Sequence, residues 1–347
     1  MGVKMKNTDS TQATVGAIRW DAWFGTDFPE NNVSAQTTRS LSPPAHHFRL
    51  PFFAEITADN TCYFPAYTQD IMDAEINLAA NAGIDYWAYV WYVGHPDALA
   101  KARKLHITSQ YRQRVKICSI FEKSAALCHP EVREEVKSLM EAGLWMTVLE
   151  DRPLMFYFDA SPEVAEDIAY YRDMCKLINL PPPYAVVMNG STKETLAELG
   201  ADAASDYAFW ANDGVPFKDL TAIAEKRWRD FIGQGQIVPC VTTGWDNRPR
   251  IENPVSWITY LKGNEWVQTA TAEEIGEHLT RALVWVAANK ACAKANTVLM
   301  YAWNENDEGG WLTPTLMVDV SGRLLYDANG NKQIDYSRLE VVKRVIG

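Results

Sequence analysis

The sequence predicts a single (β/α)8 barrel of the α/β class with long loops after its strands. Three observations predict it. Apolar runs of strand length alternate with helical patterns about eight times, which argues for a parallel sheet closed into a barrel. The 347 residues suit one such barrel with insertions. After the first apolar run comes WDAWFGTDFPENN, which lacks the glycine fingerprint of a doubly wound dinucleotide fold. There is no internal repeat, low-complexity tract or convincing linker. Residues 14–347 therefore read as one domain, and residues 1–13 as a disordered or tag-like N-terminus.

The elements follow in order. The first strand is read over 14–23 (TVGAIRWDAW). Residues 24–69 form a long Pro-, Asn- and Ser-rich connection, a length more often functional than idle. A helix over 67–82 has Ile71, Ala74, Ile76, Leu78 and Ala79 on its apolar side and Gly83 as its stop. The second strand is 84–92, a helix 97–114, and the third strand 115–121. Pro130 opens a helix read to 149. The fourth strand is 154–159, followed by a helix over 162–178 closed by three prolines. The fifth strand is 184–188, then a short helix near 193–199 and a weaker sixth strand over 203–209. A helix over 217–231 leads to the seventh strand, 237–242. A long helix over 272–295, the eighth strand over 298–302 and a closing helix over 336–345 complete the pattern.

Composition narrows the function. At 47% hydrophobic and 22% charged the chain has ample material for a core. A formal net charge of −11 with no basic patch argues against nucleic acid as a partner. No apolar run is long enough to span a membrane. The N-terminus lacks a signal core, so the compartment stays open: periplasmic or secreted if a signal peptide was removed, otherwise cytoplasmic. Six scattered cysteines form no CxxC pair and no disulfide framework; Cys118, Cys240 and Cys292 read as buried thiols. His46, His47 and His95 read as loop histidines. No metal-ligand spacing and no cofactor motif stands out, so neither is expected. Thirteen Trp and fifteen Tyr are a heavy load, and sugar clefts need flat aromatic faces.

Barrel enzymes place their chemistry at the C-terminal strand ends. Those ends carry Asp21 and Trp23; Trp91 and Tyr92, then His95; Glu122 and Lys123; Asp159; Asn189; Tyr207; and Trp245, Asp246 and Arg250. The last end adds Asn304 and Trp311. Acids, amides and aromatic rings are the vocabulary of hydroxyl recognition, so these residues are candidate contacts for an oligo- or polysaccharide. Structural roles stand beside that reading: Asp21 or Glu122 in a rim salt bridge, Asp159 as a helix cap, Asn189 as a turn former, Tyr92 and Trp245 as rim packing.

The run YAWNENDEGGWLTPT, residues 301–315, is the most informative. A buried-type strand ends in two glutamates three residues apart, Glu305 and Glu308, among indoles and an amide and before two glycines. Glycoside hydrolysis needs two carboxyl groups around one bond, and spacing alone leaves retaining and inverting geometries open. The plainer alternative is a glycine-terminated strand exit with solvated acids.

The Trp-Asn-Glu-x-x-Glu-Gly element at 303–309 and the Gly-Trp-Asp-Asn-x-Pro-Arg element at 244–250 resemble glycoside hydrolase family 99 and the WbsX-like group. That resemblance spans roughly residues 14–346. It implies a retaining glycosidase on an α-linked, mannose-like glycan. It implies Glu305 as base on the sugar 2-hydroxyl and Glu308 as general acid, whose proton then calls for a raised pKa. The family usually has an aromatic residue or His between these acids, where this chain has Asn306 and Asp307. A non-hydrolytic glycan-binding or polysaccharide-assembly protein on the same barrel is the alternative.

Overall fold

Parallel strands buried on both faces need no polar side, and the barrel strands here are apolar almost throughout. The structure, a computed structural model, describes residues 12–24, 33–92, 97–122 and 129–347. Among these, eight strands form the ring: β1 (Thr14–Arg19), β2 (Tyr86–Trp91), β3 (Lys116–Phe121), β4 (Arg152–Tyr157), β5 (Tyr184–Val187), β6 (Ala203–Ala204), β7 (Cys240–Thr242) and β8 (Thr297–Tyr301). Their spatial order is β7-β8-β1-β2-β3-β4-β5-β6, and every pairing between them is parallel. The register sets Ala17 beside Met300 on one side of β1 and Arg19 beside Tyr89 on the other. A parallel bridge from Ala204 to Ile237, just ahead of β7, joins the two ends of this sheet. The backbone N–H of Val238 donates to the Ala204 carbonyl there at 2.9 Å.

Eight helices follow the strands: α1 (Gln69–Ala82), α2 (Lys101–Thr108), α3 (Pro130–Glu141), α4 (Glu163–Leu177), α5 (Lys193–Leu199), α6 (Phe217–Asp230), α7 (Ala272–Ala288) and α8 (Ser337–Ile346). Their ends have local causes. Thr68 caps α1 and Gly83 stops it in the left-handed region. Thr271 and Glu274 form a reciprocal capping box at the start of α7.

Several expected boundaries shorten. β1 ends at Arg19 rather than 23, because Trp20 turns its backbone to the side chain of Asn304. Helix α2 stops at Thr108, where Ser109 is extended. Helix α3 stops at Glu141; Thr147–Val148 instead pairs antiparallel with Arg152–Pro153. Helix α7 stops at Ala288. The long 24–69 connection is not loop throughout. It holds a helix (Val33–Leu41), a 3-10 turn (Pro44–Arg49) and a small hairpin (Glu55–Ile56 with Cys62–Tyr63). Residues 1–11, 25–32, 93–96 and 123–128 lie outside the described residues, and with them His95, Lys123 and most of the expected N-terminal tail. Among the described residues no helix is long and apolar enough to cross a membrane.

Candidate active site

The chain leaves β8 through Trp303 into a tight hairpin. Asn304–Glu305 pairs antiparallel with Gly310–Trp311, and Asn306–Glu308 makes a 3-10 turn between them. The three-residue spacing thus folds both glutamates onto one short turn. Glycine is required on both sides of this turn. A Cβ on Gly244 would lie 2.0 Å from the carbonyl oxygen of Gly309, and one on Gly309 would lie 2.5 Å from the Asp246 nitrogen. Bare backbone lets the β7 exit close on the acidic turn, and the Asp246 N–H donates to the Glu308 carbonyl at 2.6 Å. The sequence elements at 244–250 and 303–309 are therefore one structural unit.

Both carboxyls converge on Arg250. Its guanidinium donates to Glu308 Oε1, and its Nη2 lies 4.0 Å from Glu305 Oε2. The third side of the guanidinium is taken by Asp307, with Nε to Oδ2 at 2.7 Å and Nη2 to Oδ1 at 3.1 Å. Two phenols complete the pair: Tyr207 donates to Glu305 Oε1 at 2.5 Å, and Tyr301 donates to Glu308 Oε2. Burial drives both phenols well above their ordinary titration range, with the neighbouring glutamates adding to it, so they act as neutral donors.

Electrostatics separates the two acids. Glu305 is buried, while the Glu308 side chain keeps 13% exposure. Burial first, and the Glu308 charge second, push the Glu305 carboxyl well above the usual range, although Arg250 and Tyr207 oppose them. Its surroundings thus bias the Glu305 carboxyl toward its protonated form. Burial also works against the charge of Arg250, but Asp307, Glu308 and Glu305 more than offset it and fix the guanidinium as a cation.

Aromatic rings enclose the pair. Arg250 lies 5.3 Å from the Trp20 ring and 5.9 Å from Trp257, and these two indoles stand 6.0 Å apart. Trp257 is 39% exposed and Tyr260 65%, and Tyr260 feels the charges of Glu308 and Arg250. Tyr92 accepts from Trp20 Nε1 at 3.0 Å and lies in the field of Glu305 and Glu122. Trp245 packs at 6.3 Å from Tyr301, with its buried indole N–H unpartnered.

The expected contact residues divide accordingly. The structure brings Tyr207 and Arg250 onto Glu305 and Glu308, with Tyr92 in the field of Glu305 and Trp245 against Tyr301, while Glu122 is placed only in the field of Tyr92. Others are taken up by the scaffold. Asp21 is buried against Arg19 at 3.2 Å, the salt-bridge role left open for it. Trp23 donates to the Asn304 carbonyl, and the Asn304 side chain staples both backbone groups of Trp20. Trp91 is buried against Phe121 and Trp145, with Arg103 3.7 Å over its face, so it packs beneath helices instead of facing sugar. Asp159 accepts from the Ser161 N–H, and Asn189 turns the chain at φ +55° while bonding Phe158 and Tyr207 backbone. Asp246 is claimed by Arg49 and Arg248; burial opposes its ionisation, yet these two cations hold it below the usual carboxylate range. Trp311 is buried under Arg338, 3.5 Å over its ring. His46 and His47 bond Glu252 and loop carbonyls, respectively.

Sequence reasoning missed Tyr301, Trp20, Trp257 and Tyr260, which read as strand or loop aromatics and carried no signal. Asp307 was visible as an unexpected acid between the two glutamates, but its grip on Arg250 was not. Also missed is a second buried cluster, where Glu75 of α1 accepts from Arg19 Nη2 at 2.8 Å, Trp303 Nε1 at 2.7 Å and the Tyr67 hydroxyl. Among the described residues no group of three or more His, Cys, Asp or Glu is placed to hold a metal ion.

Neither a protein-family model nor a curated protein sequence matches the chain. Solved structures do. The endo-α-mannosidase of glycoside hydrolase family 99 from Bacteroides thetaiotaomicron superposes with a TM-score of 0.57 at 13% identity, over 95% of each chain. Its complex with bis-tris propane gives 0.55 at 15% identity, over 96% of this chain and 95% of the other. The chain has the family 99 fold. At this identity the likeness concerns the path of the backbone alone.

Proposed function

We propose that this protein is a retaining glycoside hydrolase acting on an α-linked, mannose-like glycan. One observation carries the reading: two carboxyl groups on one turn at the exit of β8 meet at a single guanidinium, with phenol donors on each and exposed aromatic rings beside them. The barrel fold shared with family 99 supports it, because barrel enzymes work at the C-terminal ends of their strands and this turn follows β8.

In the proposed reaction Glu305 accepts the proton of the sugar 2-hydroxyl as O2 attacks the anomeric carbon. The bond from that carbon to the leaving oxygen breaks, and Glu308 gives the leaving oxygen its proton. Water then attacks the anomeric carbon and passes a proton to Glu308, the bond between that carbon and O2 breaks, and O2 regains its proton from Glu305. In the empty site burial favours the proton on Glu305. A bound sugar favours the productive arrangement, because its 2-hydroxyl donates to Glu305 while the leaving oxygen accepts from Glu308. The raised Glu305 carboxyl also favours a second assignment, with Glu305 as acid and Glu308 as base.

The testing experiment is a screen of defined α-linked oligosaccharides with the anomer of the first product resolved by NMR. Retention on a mannose-type glycan is the expected result. Inversion would overturn the 2-hydroxyl route. Binding without cleavage across the screen would favour a glycan-binding or polysaccharide-assembly role.

A further inference from the structure

Three carboxyl groups, of Glu305, Asp307 and Glu308, face one guanidinium, that of Arg250. Asp307 is fully buried and takes the Nε edge of Arg250 side-on in a two-point contact. Ser40 of the β1 loop donates to the same Oδ2 at 3.3 Å, so Asp307 is held from two elements. The Asn306 amide donates to the Arg49 carbonyl at 2.6 Å and locks the turn that carries it. This side-on hold dictates which nitrogens remain: Nη1 for Glu308 and the far side of Nη2 for Glu305.

The charges then decide the protonation. One guanidinium carries a single positive charge against three carboxyls, so it cannot balance Asp307 together with both glutamates in this buried space. The groups facing them are Arg250, Asp307, Tyr207, Tyr301, Tyr92 and Tyr260. The four phenols are all raised and add no charge. Two carboxylates cannot both ionise cheaply there, so one proton stays.

We infer that Asp307 is a positioning residue that engages the charge of Arg250 from the side, so that the Glu305–Glu308 pair retains one proton between them. The acid–base pair needs such a proton before any glycan arrives. The negative field of Asp307 acts in the same direction on Glu305. The inference rests on reading Glu305 and Glu308 as the acting pair, but it concerns the resting protein and needs no substrate.

The test is a carbon-13 carboxyl NMR titration of glutamate-labelled protein, with the Glu305 and Glu308 signals assigned from Glu305→Gln and Glu308→Gln. Asp307→Asn keeps the shape of the side chain and removes its charge. The upper apparent pKa of the pair should fall by on the order of one pH unit. Arg250→Gln should raise it. The double variant Asp307→Asn with Arg250→Gln buries neither charge and should return it toward the wild-type value. An unchanged titration in folded Asp307→Asn overturns the inference. Should that single variant fail to fold, the comparison of the double variant with Arg250→Gln decides: equal values mean Asp307 exerts no field. Loss of hydrolysis with an unchanged titration would count against Asp307 and leave the proposed function standing. A shifted titration in a protein that cleaves no glycan would do the reverse.

Discussion

Two buried acid clusters sit a few residues apart in this barrel, and they are built on opposite principles. Around Glu75 one carboxylate is served by three donors from three elements: Arg19 of β1, Tyr67 before α1 and Trp303 after β8. The space beside it, lined by Arg19, Asp21, Tyr67 and Asn304, has about 10 Å³, room for one water at most. Around Arg250 the ratio is inverted, with three carboxyls for one cation. A saturated cluster holds the base of the acidic turn still; an acid-rich cluster keeps a proton that can move. Only the second has a side chain reaching solvent, through Glu308, and exposed rings beside it.

The sharpest way to break this contrast is to neutralise the pair. Glu305→Gln and Glu308→Gln should each lower turnover on a cleaved glycan by about 10³-fold, the scale of a lost general acid or base, with the melting temperature unchanged or raised. The variant that keeps turnover on a glycosyl fluoride, whose leaving group needs no proton, identifies the acid. Full activity in either variant on the natural linkage would remove the pair from catalysis.

Next in size is the saturated cluster. Glu75→Ala leaves buried Arg19 with Asp21 as its one remaining carboxylate and should cost about 3 kcal/mol in denaturant unfolding. Here the loss should appear as instability, and folded protein at low temperature should retain most of its activity. A stable but inactive Glu75→Ala protein would mean the two clusters are not distinct.

A smaller effect is expected at the rim. Tyr260→Ala and Trp257→Ala should raise KM by about 2- to 10-fold with kcat largely kept, as for a lost stacking face. Equal losses of kcat and kcat/KM would instead place these rings at the reacting centre.

The smallest effect lies far from the site. Asp167 of α4 is buried between Tyr157 and Tyr171, with Arg133 3.9 Å away as its nearest cation, and burial pushes its carboxyl up to about 6. A raised carboxyl binds its proton more tightly folded than unfolded, so stability is lost as pH rises from about 4 to about 6. Asp167→Asn should therefore raise the melting temperature by about 2 °C at pH 7.5 and leave it unchanged at pH 3.5. Equal gains at both pH values would point to packing instead of charge.

Much of the barrel was legible because its strands announce themselves as apolar runs with polar exits. All eight were read, and the errors were at element ends, where Trp20 bonding to Asn304 stops β1 or Ser109 turning extended stops α2 against the local pattern. The acid pair and Arg250 were legible as motifs. The division of the remaining candidates was not. Trp91 and Tyr92 are neighbours in sequence, yet one lies under α2 and the other faces Glu305, because alternate residues of a strand point to opposite sides.

The sequence by itself determined the alternation of strand and helix, the glycines that let two loops touch, and two glutamates at one strand exit. These follow from short-range periodicity and backbone sterics, which depend on a few neighbouring residues. Only the tertiary structure decided that the Glu305 carboxyl is raised, that both glutamates share Arg250, and that Asp307 grips the same cation from the side. Those outcomes depend on burial and on distances between residues 57 or 98 positions apart in the chain, as Arg250 is from Asp307 and Tyr207 from Glu305. A charge's energy is set by what surrounds it in space, and that is fixed only once the barrel closes.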